Sequence, residues 1–259
     1  MVKLKFILVL GGLLLILCLP LFAPFDPTAI HLEALKLPPS HTHWLGTDFL
    51  GRDEFSRLLF ALRNSVFVGL VGGFLALVIA LAFAFLVLFA PKWGRSGLLG
   101  FLDGFLALPN LLLILLFSAF SQRGLGLLGL GGLLSLFLWP QMAKVLADSF
   151  REIATREFIT NERALGASRL EIAFLEILPL AKNSVFVLLA NTCAHAISAE
   201  ALLSFFGLGL KVGEASLGNM LNEASQAIFT GVWWLVLVPG LAVFLVVFAL
   251  AWAGERGRA

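Results

Sequence analysis

The stretch SVFVGLVGGFLALVIALAFAFLVLFA, from Ser65 to Ala90, contains no charged side chain. A helix needs about 20 apolar residues to cross the hydrocarbon core of a bilayer, so this stretch is long enough to do so. Its apolar residues do not alternate with polar ones, which favours a helix over a strand of a membrane barrel. We therefore predict a transmembrane helix here.

The rest of the chain has the same character. Of its 259 residues, 60% are apolar and 13% are charged, whereas about a quarter of the residues in a soluble domain are charged. Further apolar runs occupy residues 5–23, 98–120, 125–147, 183–206 and 232–253. These runs predict an all-α polytopic membrane protein with about six transmembrane helices. Residues 1–64 would hold the first span, a loop and an interface helix, and residues 65–259 a core of five spans.

The first apolar run has two interpretations. Lys3 and Lys5 precede it, as in a cleaved signal peptide. The run is longer than a typical signal core, however, and Pro24 follows the one plausible cleavage position at Ala23. Retention as a membrane anchor is therefore the favoured interpretation.

The distribution of basic residues predicts the orientation, because cytoplasmic segments carry an excess of lysine and arginine. If the N-terminus is cytoplasmic, the inner segments hold Lys3, Lys5, Lys92, Arg95, Lys144, Arg151, Arg156, Arg163, Arg169, Lys182, Arg256 and Arg258. The other six basic residues then lie outside, four of them in the long loop before residue 64, where the rule is weakest. Both termini are therefore expected in the cytoplasm.

A charged stretch separates the fourth and fifth predicted spans. Thr155 to Leu165 predicts a short helix with Thr155 as its cap, and Gly166 follows where a left-handed residue is wanted. Ser168-Arg169-Leu170-Glu171 has the pattern of a capping box and opens a second helix, which Pro179 should end near Leu178. The segment 155–179 is thus predicted to be helix, turn and helix.

The apolar residues of this segment recur at intervals of seven, at Phe158, Leu165 and Ile172. Charged residues, including Arg163 and Arg169, flank the bend. We expect the apolar side to rest on the membrane and the bend to face a partner.

At these residues the chain resembles a known family. Ala164 to Ser168, followed by Ile177-Leu178-Pro179, is similar to the "EAA" loop in the membrane subunits of binding-protein-dependent ABC importers. Thr160 stands where that family has the glutamate, and Asn161 and Glu162 where it has the alanines. The resemblance implies that this loop docks on a separate ATPase subunit. The implied coupling residues are Thr160, Asn161, Glu162, Arg163, Ala164, Leu165, Gly166, Ala167 and Ser168.

Other segments resemble the dipeptide, oligopeptide and nickel branch of that family, in particular its C-type permease. They are HWLGTDFLGRD from His43, EALLSFFGLG from Glu200, LGNML from Leu217, and the pairs Trp233-Trp234 and Pro239-Gly240. The loop from Lys211 to Leu217 departs from the branch, because it lacks the prolines and the tryptophan expected there.

The resemblance implies partners and a location. The chain would form half of a translocation pathway in the bacterial inner membrane, with a second permease, two ATPase subunits and an external substrate-binding protein. The substrate could be a dipeptide, an oligopeptide or a nickel chelate. No G-x-x-x-x-G-K-[ST] phosphate-binding motif occurs in the sequence, so ATP and Mg²⁺ are expected on the partner subunits. We expect no enzymatic site, no cofactor in this chain and no nucleic acid partner.

The residues before the second span predict an amphipathic interface helix from Asp53 to Arg63. Its leucines and Phe55 lie on one side, and Glu54 and Arg57 lie largely on the other. Asp48 and Asp53 are interpreted as loop, capping or first-turn residues in preference to a metal pair.

Ionisable residues inside predicted spans are few, and each is a candidate for function. Asp103 and Asp148 lie near predicted cytoplasmic ends, whereas His195 and Glu200 lie in the fifth span. Glu200, His195 and Ser204 are the candidate pathway residues. For Glu200, lining the pathway and capping a helix contact are equally weighted alternatives, and packing is the commoner role for a residue such as His195.

Three histidines, His31, His41 and His43, suggest nickel because imidazole suits that metal. Without a cysteine or a tight carboxylate cluster they form only a weak site, so no metal site is predicted. The alternatives from other classes are an ion-coupled secondary transporter, a channel, or a membrane scaffold without transport activity. The few intramembrane charges and the lack of an internal repeat disfavour the first two.

Overall fold

The computed structural model describes residues 11–12, 15–121, 124–211 and 213–255. Its longer helices are α1 Glu54–Phe89, α2 Lys92–Leu106, α3 Asn110–Ala119, α4 Leu127–Ala154, α5 Glu157–Ala164, α8 Lys182–Phe205, α9 Leu217–Ala227 and α10 Trp233–Glu255. Between α5 and α8 lie α6 Arg169–Glu171, a π-helix Ile172–Ile177 and α7 Leu178–Leu180. Short 3₁₀-helices at Leu19–Phe22 and Leu32–Ala34 precede α1.

Four of these helices, α1, α4, α8 and α10, are long and apolar enough to cross a membrane. They correspond to the predicted spans 65–90, 125–147, 183–206 and 232–253. The predicted class, an all-helical membrane protein, is confirmed. Residues 5–10 and 13–14 of the predicted span 5–23 lie outside the described residues.

The predicted span 98–120 is not one straight helix. It is divided between α2 and α3, which are bent by 72° relative to each other. Pro109 lies at the break and has no N–H to continue the helix, and the residue before a proline is pushed out of helical geometry. The pair forms either one broken span or a re-entrant loop.

The predicted interface helix from Asp53 to Arg63 is the beginning of α1, which continues to Phe89 without a break. A boundary after residue 64 therefore falls inside a helix. Asp53 is the N-cap, and its Oδ2 accepts a hydrogen bond from the Ser56 N–H at 2.8 Å. The prediction of an interface helix with an exposed polar side is wrong, because Glu54, Ser56 and Arg57 on that side are buried. Ionic partners from elsewhere in the chain cover that face.

The core forms where α1 packs on α4 and α8, and α8 in turn packs on α10. Glycines on α1 permit this close approach. A Cβ added at Gly69 would lie 2.3 Å from Ile197 Cγ1, and one at Gly73 would lie 2.4 Å from Cys193 Sγ. Small residues at such contacts let membrane helices pack backbone to backbone. Helix α8 is therefore a central helix, packed against both α1 and α10.

Candidate functional site

The segment between α4 and α8 begins differently from the prediction. Thr155 ends α4, where its Oγ1 donates to the Glu152 carbonyl at 2.7 Å, and it does not cap the next helix. The N-cap of α5 is Arg156, whose side chain makes no capping hydrogen bond. Arg156 leads straight into α5, so α4 and α5 form a tight corner.

The bend at the end of α5 has the predicted geometry. Gly166 has a φ of 96°, in the left-handed region that side chains rarely adopt. Its N–H donates to the Arg163 carbonyl at 3.1 Å, and the Ala167 N–H donates to the Glu162 carbonyl at 3.1 Å. These hydrogen bonds close the end of the helix in the way that left-handed C-terminal glycines commonly do.

The predicted capping box at Ser168 is confirmed. Ser168 Oγ accepts from the Glu171 N–H at 3.2 Å, and the Glu171 carboxylate accepts from the Ser168 N–H at 2.8 Å. These hydrogen bonds from Ser168 lower the pKa of Glu171 below its ordinary value. The second helix of the segment therefore has a well-defined start.

The prediction that this helix stops near Leu178 is wrong. Helical structure continues through Pro179, and the Ala181 N–H still donates to the Ile177 carbonyl at 3.0 Å. A proline inside an α-helix would clash with the carbonyl four residues earlier. The preceding turns widen into the π-helix, where the Leu178 N–H reaches back to the Ala173 carbonyl. Only a turn at Ala181 separates this rod from α8.

The residues around the Gly166 bend form an exposed surface. Thr160, Asn161, Glu162, Arg163, Ala164, Leu165, Gly166 and Ser168 are exposed, and Ala167 is half-buried. Leu165 is 83% exposed, so it does not rest on the core. Ile159 and Ile172 are buried instead and join a cluster that includes Phe150 on α4. Phe158 and Leu165 are exposed whereas Ile172 is buried, so the three residues at the seven-residue spacing do not form one side that could rest on the membrane.

Glu200 lies in a buried polar cluster between α1, α8 and the start of α9. Its Oε1 accepts from Ser204 Oγ at 2.8 Å, and Ser204 Oγ in turn accepts from the Leu210 N–H at 3.2 Å. The hydroxyls of Ser65 and Ser216 also interact with the Glu200 carboxyl group. Both Glu200 and Ser204 are fully buried in the single chain. The cluster joins the end of α8 to its neighbours.

His195 occupies a different face of α8. It is exposed, as is Ser198 three residues later, so the two share one side of the helix. The structure therefore brings Glu200 and Ser204 together but places His195 apart from them. The other two candidate charges near the membrane are paired: Asp103 with Lys144, and Asp148 with Arg151 at 3.6 Å.

An ion-pair cluster that sequence reasoning missed lies at the same end of the molecule as Glu200. Arg57 Nη1 donates to Asp48 Oδ2 at 2.6 Å and to Glu223 Oε2 at 2.7 Å. Arg52 bridges the same two carboxylates, at 2.6 and 2.7 Å. The cluster ties the loop before α1 to α9. Glu223 is 166 residues from Arg57, and no local pattern signals that pairing.

The histidines do not assemble a metal site. His43 Nδ1 lies 2.9 Å from Asp53 Oδ1, whereas His31 and His41 are exposed and make no such contact. Within residues 11–12, 15–121, 124–211 and 213–255, no group of three His, Cys, Asp or Glu side chains could hold a metal ion. Asp53 acts as a helix cap. Asp48 lies in the loop before α1 and accepts hydrogen bonds from the N–H groups of Leu50 and Arg52, and its ion pairs were not predicted.

Comparison with known proteins identifies the family of this chain. Residues 72–256 match the family described as binding-protein-dependent transport system inner membrane component. The chain is 30% identical over 257 residues to a dipeptide transport system permease protein of Bacillus subtilis, covering 96% of this chain and 79% of the relative. It is 32% identical over 244 residues to a putative peptide permease protein of Brucella suis, covering 94% and 80%.

A solved structure shares the fold. An inward-facing conformation of the MetNI methionine ABC transporter matches 77% of this chain and 94% of its own, with a TM-score of 0.64 and 18% identity. At that identity the likeness concerns the fold alone. The family match, by contrast, extends from the middle of α1 to just beyond the end of α10. The chain therefore belongs to the family of binding-protein-dependent transport system inner membrane components, and it is a multi-pass permease subunit of an ABC importer.

Proposed function

We propose that this chain forms half of the translocation pathway of a peptide importer. A second permease would supply the other half, two ATPase subunits would bind inside, and a substrate-binding protein would deliver substrate from outside. One observation carries the proposal. The segment with the exposed bend continues, through the π-helix and α7, into α8 with only a turn at Ala181 between them.

A displacement of the bend would therefore be transmitted directly to α8, a membrane-spanning helix. The exposed residues Thr160 to Ser168 would dock on the ATPase, and buried Ile159 and Ile172 would transmit the displacement to the core. Hinge and shear movements of this kind turn a local push into rocking of packed helices. ATP and Mg²⁺ would bind on the ATPase subunits, and this chain would carry no catalytic site.

The candidate pathway residues divide into two roles under this proposal. His195 and Ser198 would line the pathway, because polar side chains exposed on a spanning helix usually face a water-filled cavity or a partner. Glu200 and Ser204 would act behind them, holding α8 against α1 and the start of α9. This assignment keeps Glu200 in the translocation machinery as a positioning residue.

The relatives support peptides as the substrate class. They include the dipeptide permease of Bacillus subtilis and an oligopeptide transport system permease protein of the same organism, which is 29% identical over 241 residues. Nickel, the other substrate suggested by the sequence, finds no support in these relatives or in the placement of His31, His41 and His43.

A reconstituted complex tests the pathway assignment. With His195 replaced by cysteine and both native cysteines removed, we expect a charged methanethiosulfonate reagent to reduce ATP-dependent uptake of a labelled peptide by about tenfold. The reagent reacts with thiols in water far faster than with thiols in lipid. Phe248→Cys is the matched control, because Phe248 is an exposed apolar residue on α10.

Two results would contradict the proposal. Equal, slow modification at positions 195 and 248 would place His195 in lipid or in a dry contact. Uptake driven by an ion gradient without ATP would favour the secondary-transporter alternative, and a complex with no uptake of any peptide would favour a scaffold.

The proposed orientation, with both termini cytoplasmic, makes a separate prediction. In the cysteine-free background, Gln226→Cys on α9 should react with an impermeant maleimide added outside intact cells, whereas Thr160→Cys should react only after permeabilisation. Both positions are exposed in the single chain, so burial alone would not explain a difference. Labelling of Thr160→Cys but not Gln226→Cys in intact cells would reverse the orientation.

A further inference from the structure

Two adjoining cavities lie between the end of α1, the start of α2 and the segment around the Gly166 bend. Their volumes are about 460 and 480 Å³, and Leu88, Arg95 and Arg163 line both. Arg169 lines the second cavity on the other side of the bend. We call this pair of cavities the arginine cleft.

Four arginines line the cleft, and three of them, Arg95, Arg163 and Arg169, have no carboxylate partner in the described parts of the chain. The two acidic residues that line the first cavity are already engaged, Asp148 with the fourth arginine, Arg151, at 3.6 Å and Glu152 with Arg156 at 3.5 Å. Arg95 is half-buried, and its Nε donates to the Val87 carbonyl at 3.3 Å. That hydrogen bond holds its guanidinium group in place and leaves the terminal nitrogens available.

The first cavity also has polar walls, formed by Asp148, Glu152 and Thr155, whereas the other residues that line the second cavity are apolar. The second cavity is also lined by Phe89, Pro91, Ile172 and Ile177. Beside it, Trp93 at the start of α2 is 90% exposed. Exposed tryptophans near the ends of membrane helices mark the level of the lipid headgroups. The second cavity therefore combines the unpaired guanidinium groups of Arg95, Arg163 and Arg169 with apolar walls at a membrane boundary.

From this combination we infer that the arginine cleft binds the headgroup of an anionic phospholipid of the cytoplasmic leaflet. Guanidinium groups form strong, often bidentate hydrogen bonds with phosphate oxygens. Basic pockets between helices at the cytoplasmic surface are suited to anionic lipid headgroups. The apolar walls favour an amphiphile over a free anion, which would gain nothing from them.

An acidic side chain of an ATPase subunit is the competing occupant. The lining residues argue against it, because Thr160, Asn161, Glu162 and Leu165 do not line the cleft although all are exposed. The surface proposed for docking and the cleft therefore share only Arg163. A headgroup bound there would connect Arg95 on α2 to Arg163 and Arg169 on either side of the bend.

This inference rests on the proposed function in one respect, the orientation that places the cleft at the cytoplasmic leaflet. Its test does not depend on transport. The detergent-purified importer complex is titrated with phosphatidylglycerol or phosphatidylcholine, and bound lipid is counted by native mass spectrometry. We expect phosphatidylglycerol to bind at least about tenfold more tightly than phosphatidylcholine, and Arg95→Gln/Arg163→Gln to remove most of that preference.

The matched control is Lys92→Gln/Lys182→Gln, which also removes two positive charges. Both lysines are exposed at the same boundary, and neither lines the cleft. The control should keep the preference to within about threefold. Equal losses in the two double variants would mean only general surface electrostatics and would overturn the site.

Three further arms of the experiment are decisive. If inorganic phosphate displaces the phosphatidylglycerol at millimolar concentration, the site binds a free anion and the lipid assignment fails. If lipid binds only to the permeases without ATPase subunits, the cleft belongs to the ATPase interface, which also overturns it. If the Arg95 and Arg163 variant does not yield an intact complex, the preference of the unmodified complex and the phosphate competition still decide the question.

Discussion

Gly166→Val is expected to uncouple the importer while leaving it in the membrane. The φ of 96° at Gly166 lies in a region where a β-branched residue is a genuine outlier. Apart from the two neighbours of Gly166 in sequence, no heavy atom of the described residues lies within 4 Å of a Cβ built there, so the damage comes from the backbone and not from a clash. Relief of that strain, of order 1–3 kcal/mol, would open the turn and displace the docking surface.

The measurement is ATP hydrolysis stimulated by loaded binding protein in proteoliposomes, together with pull-down of the ATPase subunits. We expect stimulated hydrolysis to fall by about tenfold or more, in keeping with strain of that size. Gly166→Asn should retain more activity, since asparagine tolerates left-handed geometry better than valine. The control is Gly97→Val, at an exposed position in α2 where an added Cβ meets nothing and φ is not positive.

Full stimulation in Gly166→Val would remove the bend from the coupling mechanism. Loss of the protein from the membrane would show that the bend is needed for folding instead. Equal loss of coupling in Gly97→Val would mean that added bulk, and not the conformation at the bend, is responsible.

Arg57→Met is expected to lower the melting temperature of the purified protein by about 6–20 °C. Arg57 is buried and contacts Asp48, which is 1% exposed, as well as the partly exposed Glu223. Removing one member of a buried ion pair leaves an uncompensated charge and costs about 3–5 kcal/mol. For a chain of this length, 1 kcal/mol corresponds to roughly 2–4 °C.

Two comparisons separate this effect from a general loss of charge. Arg63→Met lies on the same helix, but Arg63 contacts Asn64 and the Phe60 ring and has no carboxylate partner in the described chain, so its melting temperature should change by less than about 2 °C. Arg57→Met/Asp48→Asn should recover part of the loss, because the double change removes the orphaned charge as well. A melting temperature for Arg57→Met equal to that of the unmodified protein would show that the cluster does not stabilise the fold.

Much of the fold follows from local features of the sequence. Length and hydropathy alone located α1, α4, α8 and α10, because a lipid environment requires long helices with internally satisfied backbone groups. The sequence also predicted the capping box at Ser168 and the left-handed conformation of Gly166. Each depends on residues no more than a few positions apart.

The errors share a physical cause. Pro179 was expected to end a helix, but the π-helix before it accommodates the proline, and residues on both sides of Pro179, among them Ile172, Ile177 and Ala181, pack in the core. The start of α1 was predicted to be an amphipathic interface helix, but its polar side is not exposed. It is buried because Arg52 and Asp48 come from the preceding loop and Glu223 from a helix far along the chain.

The sequence by itself determined the membrane class, most of the spans, the bend at Gly166 and the resemblance to importer permeases, because hydropathy, caps and turns act over short distances along the chain. Only the tertiary structure decided that Glu200 is enclosed by serines from α1 and from the start of α9, that His195 is exposed, and that Arg95 and Arg163 line one cleft. These contacts join helices that are distant in sequence. Their energies depend on which faces meet, and no local pattern specifies that choice.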